Sequence, residues 1–419
     1  MLSNVTVPLL GAVDTGVVGQ LGAPEPIGAV GVGAVIIAFI YWMFGFLRMG
    51  TTGLVAQARG QGDAAETGAL LTRALLIAAA GGLAVAILQP LLIPLALMLS
   101  PASEGVEEMT RQYLSIRMWG APCAIAVYAL TGWLIAMEKT RGVLLLQVGM
   151  NGMNIGLDLW FVLGLGWGVE GVAAATVMSE VAGAALGLYL CRAAFAGGAW
   201  KDRARVLDPA KLRRLAQVNG DILLRSALLS LAFLLFVFSS ADAGDVTLAA
   251  NQVLYQFFTI NAYALDGFAF AAEAMVGAAF GARDPATVRA AARVASLWAF
   301  AAAAAIAALF LVFGPAIIDL MTTDPETRAR ARVFLLWAAA SPVIGLPCFM
   351  LDGIFIGATR TRDMRVGMIE SFAIYLPLLF GLGWALGPHG LWAALMGFFV
   401  ARAVTLWRRW PGLLEAAKG

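Results

Sequence analysis

The chain has 419 residues, of which 61% are hydrophobic and 13% charged, whereas roughly a quarter of the residues in a typical soluble domain are charged. Water therefore cannot be its main solvent. The formal net charge of +2 is too small to indicate a nucleic-acid partner, and the basic residues do not follow one face as such binding requires. Because about 20 apolar residues cross one bilayer, the chain has room for about twelve crossings.

Apolar runs between charged or Gly/Pro-rich breaks predict helices along the whole chain. Helices are expected because the runs lack the strict alternation of polar and apolar residues seen in barrel strands. The hydrocarbon core also offers no hydrogen-bond partner to unpaired backbone N–H and C=O groups. The predicted fold is all-α, a polytopic membrane protein with 12 transmembrane helices. They lie near residues 1 to 22, 27 to 58, 66 to 99, 104 to 137, 141 to 163, 168 to 195, 211 to 241, 245 to 280, 286 to 320, 327 to 358, 363 to 386 and 389 to 410.

The distribution of Lys and Arg predicts the orientation in the membrane. Most of the 28 basic residues fall in alternate connections, the richest of which runs from residue 192 to 214. Such loops are cytoplasmic in membrane proteins, so both termini are predicted to lie in the cytoplasm. The opposite connections carry mainly acidic residues, with an exception at Arg328, Arg330 and Arg332.

The two halves of the chain repeat each other. Residues 60–63 (Gly-Gln-Gly-Asp) resemble residues 281–284 (Gly-Ala-Arg-Asp), and residues 132–141 resemble 353–362, both at an offset of 221. Six predicted helices separate the copies, so both halves should have the same orientation, with a symmetry axis along the membrane normal. We predict an N-terminal lobe at 1–195, a cytoplasmic linker at 196–210 and a C-terminal lobe at 211–419, with alternating access to a cavity between the lobes.

Carboxylates inside apolar helices are the main functional signal, because each costs several kcal/mol unless it is paired or faces a wet cavity. Asn151, Asn154 and Asp158 follow an i, i+3, i+7 pattern and share one helix face. Counting from the connections, at 1.5 Å per residue, places Asp14, Asp158 and Thr176 at a common depth of roughly 12 to 15 Å. The chain has five such carboxylates: Asp14, Asp158, Asp266, Glu273 and Asp352.

Asp14, Asp158 and Thr176, with an Asn from the Asp158 face, form a set whose ligand atoms are all oxygen. Such donors suit a proton or a hard cation such as Na⁺, and the sequence does not decide between the two ions. The alternative is that these groups only form hydrogen bonds between helices.

In the second half, Asp266 and Glu273 are seven residues apart and share a helix face. Arg225, within the preceding apolar helix, is expected to pair with one of them, either as a structural ion pair or in transport. Asp352 has two open interpretations. In the first it has a local role near the cytoplasmic helix end, where its side chain either snorkels to the surface or forms a hydrogen bond at a hinge beside Gly353. In the second it takes part in transport.

Other chemistry is not indicated. Each Lys lacks a preceding Gly, so there is no GK[ST] phosphate loop and transport driven directly by ATP is not expected. Cys123, Cys191 and Cys348 lie in separate apolar stretches without the spacing of a zinc or redox site, so no cofactor is expected.

Six short segments begin at Pro8 (PLLGAVDTGVVG), Asn154 (NIGLD), Gly168 (GVEGVAAAT), Asp221 (DILLR), Leu265 (LDGFAFAAEAMVG) and Asp352 (DGIFIGATR). They resemble motifs of the DinF branch of the multidrug and toxic compound extrusion (MATE) family. They occur in the family's order, and the match covers nearly the whole chain.

The resemblance implies two pseudo-symmetric six-helix bundles in a V shape. It also implies export of cationic or amphipathic drugs against inward H⁺ or Na⁺. By the same resemblance, the ion or proton site of the first lobe consists of Asp14, Asn154, Asp158 and Thr176, and Asp221 and Arg225 match the Asp and Arg of the family's seventh helix. Relatives usually have more chain before the first aspartate, so either the native start lies upstream or the inner half of the first helix is short.

These patterns together predict a monomeric secondary antiporter of the bacterial inner membrane and not an enzyme. Its expected partners are small amphipathic or cationic substrates and membrane lipids, with H⁺ or Na⁺ as coupling ion. Protonation or Na⁺ binding at Asp14 and Asp158 would drive export, with Asn151, Arg225, Asp266, Glu273 and Asp352 as secondary candidates. The alternative is a flippase for lipid-linked precursors. An intramembrane enzyme is a third class, for which the sequence offers no nucleophile, metal cluster or His dyad.

Overall fold

A computed structural model describes residues 17–18, 24–98 and 103–418 of the chain. These residues are helical almost throughout, and no strand occurs among them. Ten helices in this part of the chain are long and apolar enough to cross a membrane, and their positions agree with ten of the predicted spans. The predicted helix near 141 to 163 also forms, whereas the one near 1 to 22 lies almost wholly outside the described residues.

The chain divides into two compact units, Leu2–Ala216 and Gln217–Gly419. In the first unit a 3₁₀ turn, Met43–Gly45, joins α1 to α2, and another, Met118–Gly120, joins α4 to α5. Buried aliphatic and aromatic side chains form its core, with Trp133 almost completely enclosed. The helices are α1 (Pro24–Trp42), α2 (Phe46–Gly60), α3 (Ala64–Leu97), α4 (Glu104–Arg117), α5 (Ala121–Ala136), α6 (Thr140–Asp158), α7 (Gly168–Leu190) and the short α8 (Arg203–Val206).

The segment after α7 packs on the first unit. Arg73 of α3 is buried, and its guanidinium donates to the main-chain oxygens of Val206 (2.9 Å) and Arg205 (2.6 Å) and to Glu66 (2.7 Å). Lys211 adds a second ion pair to Glu66. The end of the predicted 196–210 linker is therefore fixed to α3.

The second unit begins within α9, and its core is rich in aromatic rings. Phe258 and Phe399 stack with centroids 5.6 Å apart, and Phe236 packs edge-on against Trp392. Because these rings fill the interior, Phe258 contributes to packing. The helices are α9 (Pro209–Asp242), α10 (Asp245–Gly281), α11 (Pro285–Met321), α12 (Pro325–Gly357), α13 (Thr361–Leu386), α14 (Pro388–Trp407) and α15 (Trp410–Ala416).

The sequence repeat is also a repeat of local backbone geometry. Asp63 and Asp284 each cap the next helix, accepting from the backbone N–H of Glu66 and of Thr287, respectively. The residues just before them, Gly62 and Arg283, both have positive φ, at 74° and 57°. The second copied turn behaves in the same way, since Glu138 (φ 55°) and Thr359 (φ 49°) are also 221 residues apart. Equivalent sequences therefore form equivalent turns in both units.

Small residues bring α12 close to α10. A Cβ on Gly353 would lie 2.8 Å from the main-chain oxygen of Ala269, and one on Gly357 would lie 2.4 Å from that of Glu273. Such contacts are shorter than van der Waals packing allows, so both positions require glycine. This is the small-residue packing that membrane helices use for close approach.

Candidate functional site

The first-unit candidates come together on α6 and α7. Asn154 and Asp158 lie one turn apart on α6, and both are almost completely buried. Asn154 donates through Nδ2 to Oγ1 of Thr176 on α7, at 3.2 Å. The Thr176 hydroxyl in turn donates a hydrogen bond to the main-chain oxygen of Val172, at 2.9 Å. The structure therefore confirms that Asn154 and Thr176 are neighbours.

The hydroxyl oxygen of Thr176 and the amide oxygen of Asn154 are placed to accept a hydrogen bond or to bind a cation. Since Thr176 donates to its own helix, its oxygen presents lone pairs toward α6. The Oδ1 atom of Asn154 is buried and has no hydrogen-bond partner within the described residues. Asn151, a turn earlier on α6, is also buried. Oxygen acceptors of this kind fit a hard cation or a proton carrier.

The helix changes form directly after Asp158. α6 ends at Asp158 and continues as a π-helix, Leu159–Gly164, which closes with a bond from the N–H of Leu165 to the oxygen of Trp160. π-Helical turns are rare and concentrate at functional sites. The sequence analysis missed this element, which it included in a helix near 141 to 163.

Asp14, the fourth member of the predicted first-lobe site, lies outside the described residues. Among the described residues, no group of three or more His, Cys, Asp or Glu side chains is placed to hold a metal. A cation here would instead use the mixed amide, hydroxyl and carboxylate oxygens of Asn154, Thr176 and Asp158.

In the second unit, Arg225 is paired differently from the prediction. The sequence assigned it to Asp266 or Glu273, but its ion pair is with Asp352 of α12. Arg402 of α14 binds the same carboxylate oxygen, and all three side chains are buried. The prediction failed because helix periodicity shows which residues share a face but not which distant helix the face meets.

This pairing bears on the interpretations of Asp352. A side chain held between two buried guanidiniums does not snorkel to the surface, so snorkelling is wrong, whereas bonding at a hinge and a role in transport both stay predictions. Arg402 is itself only 2% exposed. One carboxylate facing two guanidiniums leaves this cluster with a formal excess of positive charge.

The remaining acids of the second unit that the sequence singled out lie on α9 and α10. Asp221 accepts from the Thr361 hydroxyl at 3.0 Å and pairs with Arg365 at 2.7 Å, so it ties α9 to the start of α13. Glu273 is buried on α10, where Gly357 approaches its backbone, and Asp266 is half-buried on the same helix.

Sequence reasoning missed a second buried ion pair. Arg117 at the end of α4 pairs with Glu180 of α7 at 2.9 Å, and both side chains are at least 90% buried. The guanidinium also lies 5.8 Å from the ring centre of Tyr41, whose hydroxyl donates to the Arg117 carbonyl. The signal was present, because Glu180 is an acid inside the predicted apolar helix at 168 to 195.

Comparisons with known proteins agree with this architecture. The family model MatE matches residues 1–160 and 222–380. DNA damage-inducible protein F of Escherichia coli (strain K12) is 40% identical over 413 residues, which are 98% of this chain and 90% of that protein. The protein DETOXIFICATION 44, chloroplastic, of Arabidopsis thaliana is 28% identical, covering 96% of this chain and 78% of that protein.

Solved structures share the fold. A MATE protein in the bent conformation matches with a TM-score of 0.88 at 22% identity, covering 100% of this chain and 95% of that one. An outward-facing multidrug resistance MATE family transporter of the MOP superfamily matches with a TM-score of 0.87, also at 22% identity, covering 100% and 94%. These transporters have twelve helices in two bundles.

The family match covers most of the chain, a relative at 40% identity spans nearly all of it, and the helices repeat the transporter fold. The chain therefore belongs to the MatE family, the multi-pass multidrug and toxic compound extrusion (MATE) efflux transporters of small molecules.

Proposed function

We propose that the chain is a secondary active antiporter, which exports amphipathic or cationic small molecules in exchange for H⁺ or Na⁺. The observation that carries this proposal is the completely buried Asp158 carboxylate on the helix face that bears Asn154, whose amide reaches Thr176. A carboxylate in such surroundings is costly, and ion exchange is a function that accounts for the cost.

Binding of a proton or Na⁺ would neutralise the charge of Asp158 inside a low-dielectric bundle. The π-helix that follows Asp158 offers a backbone segment whose hydrogen bonds can rearrange when that charge changes. A carrier is driven when its two conformations differ in affinity for ion and substrate. In this proposal Asp14 acts with Asp158, in keeping with its place in the family pattern.

The placement in the cell follows from the same reasoning. We place the protein in the bacterial inner membrane as a monomer with both termini in the cytoplasm. Support for the orientation comes from the basic residues around the end of α8 and the start of α9, where Arg205 and Lys211 lie near Glu66. Positive residues of this kind stay on the cytoplasmic side.

The test is dye efflux from proteoliposomes with a pH gradient and a Na⁺ gradient imposed separately. Asp158→Asn keeps the size of the side chain but cannot exchange a proton, so it should abolish gradient-driven efflux, as should Asp14→Asn. Glu170→Gln, an exposed acid in the first turn of α7, is the matched control and should transport normally. Wild-type efflux by Asp158→Asn would contradict the proposal.

Thr176→Val separates the two ions. If Na⁺ is the coupling ion, loss of the hydroxyl oxygen should raise the Na⁺ concentration for half-maximal efflux. If H⁺ is the coupling ion, efflux driven by the pH gradient should change little. Movement of a lipid-linked precursor that ignores both gradients would favour the flippase instead.

A further inference from the structure

The second unit contains a groove whose lining includes none of the candidate residues above. It has a volume of about 650 Å³ and lies between α11 and α12, with the junction of α14 and α15 at one end. A volume of this size is within the range of roughly 300 to 1,000 Å³ that is usual for small-molecule sites. Apart from Ser296, its walls are apolar except at that end.

The polar end carries two free cations. Arg289 and Arg293 lie one turn apart on α11, are exposed, and form no ion pair with any residue in the described ranges. The acid closest in sequence, Asp284, is engaged with the start of the same helix, where Ala286 and Thr287 donate to its carboxylate. The residues that line this end of the groove therefore carry a formal charge of +2, with both guanidiniums available to an anion.

The rest of the groove leads into the apolar part of the helices. Arg289 lies four residues after the start of α11, whereas Phe300 lies fifteen residues after it, which is about 16 Å farther along the axis. On α12 the lining runs from Ile354, near the helix end, back to Leu346, about 12 Å deeper. An occupant would thus meet charge at the membrane surface and hydrocarbon below it.

Two tryptophans mark the level of the surface. Trp407 ends α14 and Trp410 begins α15, and their rings stack with an interplanar angle of 6° and centroids 6.5 Å apart. Tryptophan collects at the boundary between hydrocarbon and headgroups. The guanidiniums of Arg289 and Arg293 lie in the groove beside this boundary.

We propose that this groove binds one anionic phospholipid, with its phosphate on Arg289 and Arg293 and an acyl chain along Phe300, Leu346 and Ile354. Paired arginines suit a phosphodiester, and basic pockets between membrane helices are known to hold acidic headgroups. The site uses none of the ion-coupling residues, so it stands apart from the proposed antiport.

The experiment uses the full chain, purified in uncharged detergent micelles, and follows its thermal unfolding midpoint while lipid is added. The probes are dioleoyl phosphatidylglycerol, dioleoyl phosphatidylcholine and glycerol 3-phosphate. A ligand of the folded state raises the midpoint as its concentration exceeds its Kd, so each titration yields an apparent Kd. Phosphatidylglycerol should stabilise the protein much more than the zwitterionic lipid or the soluble phosphate.

The variant Arg289→Gln with Arg293→Gln removes both cations. Its apparent Kd for phosphatidylglycerol should rise about fivefold per arginine, hence roughly 25-fold. The matched control, Arg203→Gln with Arg330→Gln, removes two other exposed arginines that form no ion pair with the described residues, and it should keep the wild-type Kd.

Three results would overturn the proposal. One is equal weakening in both double variants, which would indicate a general charge effect. Another is equal stabilisation by phosphatidylcholine. The third is full protection by glycerol 3-phosphate, which would make the site one for a soluble anion. The wild-type comparison of the three probes stands even if a variant fails to fold.

Discussion

The buried pair Arg117–Glu180 allows the sharpest test of the packing. Glu180→Gln replaces the carboxylate by a neutral group of nearly the same shape, so the guanidinium of Arg117 loses its counter-charge without loss of volume. The pair is 2.9 Å apart, and the two side chains are 7% and 10% exposed. Water therefore cannot replace the missing charge.

The expected cost follows from that burial. Removing one partner of a buried ion pair costs about 3 to 5 kcal/mol, because the other charge stays unpaired. The Tyr41 ring, 5.8 Å from the guanidinium, is present in both proteins and so does not change this difference. A loss of about 3 to 5 kcal/mol, at roughly 2 to 4 °C per kcal/mol for a unit of this size, lowers the Tm by about 6 to 20 °C.

The assay is thermal unfolding in detergent, with Glu170→Gln as a control that removes an exposed acid from the same helix. The double variant Arg117→Met with Glu180→Met should melt closer to the wild type than Glu180→Gln does, because it leaves no buried charge. If Glu180→Gln has the same Tm as the wild type, the pair does not stabilise the fold and the reasoning is refuted.

Three further outcomes are expected. Gly357→Ala should lower stability by about 1 to 3 kcal/mol, since its Cβ would lie 2.4 Å from the Glu273 oxygen, and equal Tm values would contradict this. Asp352→Asn should lower the Tm more than Glu180→Gln, because two buried arginines lose their partner. Hydrogen bonds from Thr327 lower the pKa of Asp324. The contribution of the ionised Asp324 carboxylate to the free energy of unfolding is therefore complete above about pH 4 and is lost as the pH falls further. The Tm difference between wild type and Asp324→Ala should therefore shrink below that pH.

The sequence predicted the helices well because each span is long and its ends carry clear signals. The span predicted at 327 to 358 forms as Pro325–Gly357, preceded by the capping Asp324. The span predicted at 245 to 280 forms as Asp245–Gly281. Membrane length and capping residues act locally, so a single sequence contains them.

Contacts between distant helices were less predictable. Asn154 and Thr176 were grouped correctly, because Asn154 shares a helix face with Asp158. Asp158 and Thr176 were in turn placed at equal depth on helices joined by one connection. Arg225 was assigned to the wrong helix, since Asp352 is 127 residues away and no local pattern marks the pairing. The π-helix after Asp158 was missed because its composition is that of an ordinary apolar helix.

Asp352 and Asp158 are both buried but have different neighbours, and this difference bears on the proposed coupling to ions. Asp352 is fixed by two guanidiniums, so a proton arriving there would have to displace a buried ion pair at a cost of several kcal/mol. Asp158 lies instead on a helix face with amide and hydroxyl neighbours, Asn154 and Thr176, whose oxygens suit an incoming cation. These neighbours support the proposal that Asp158, and not Asp352, exchanges the coupling ion.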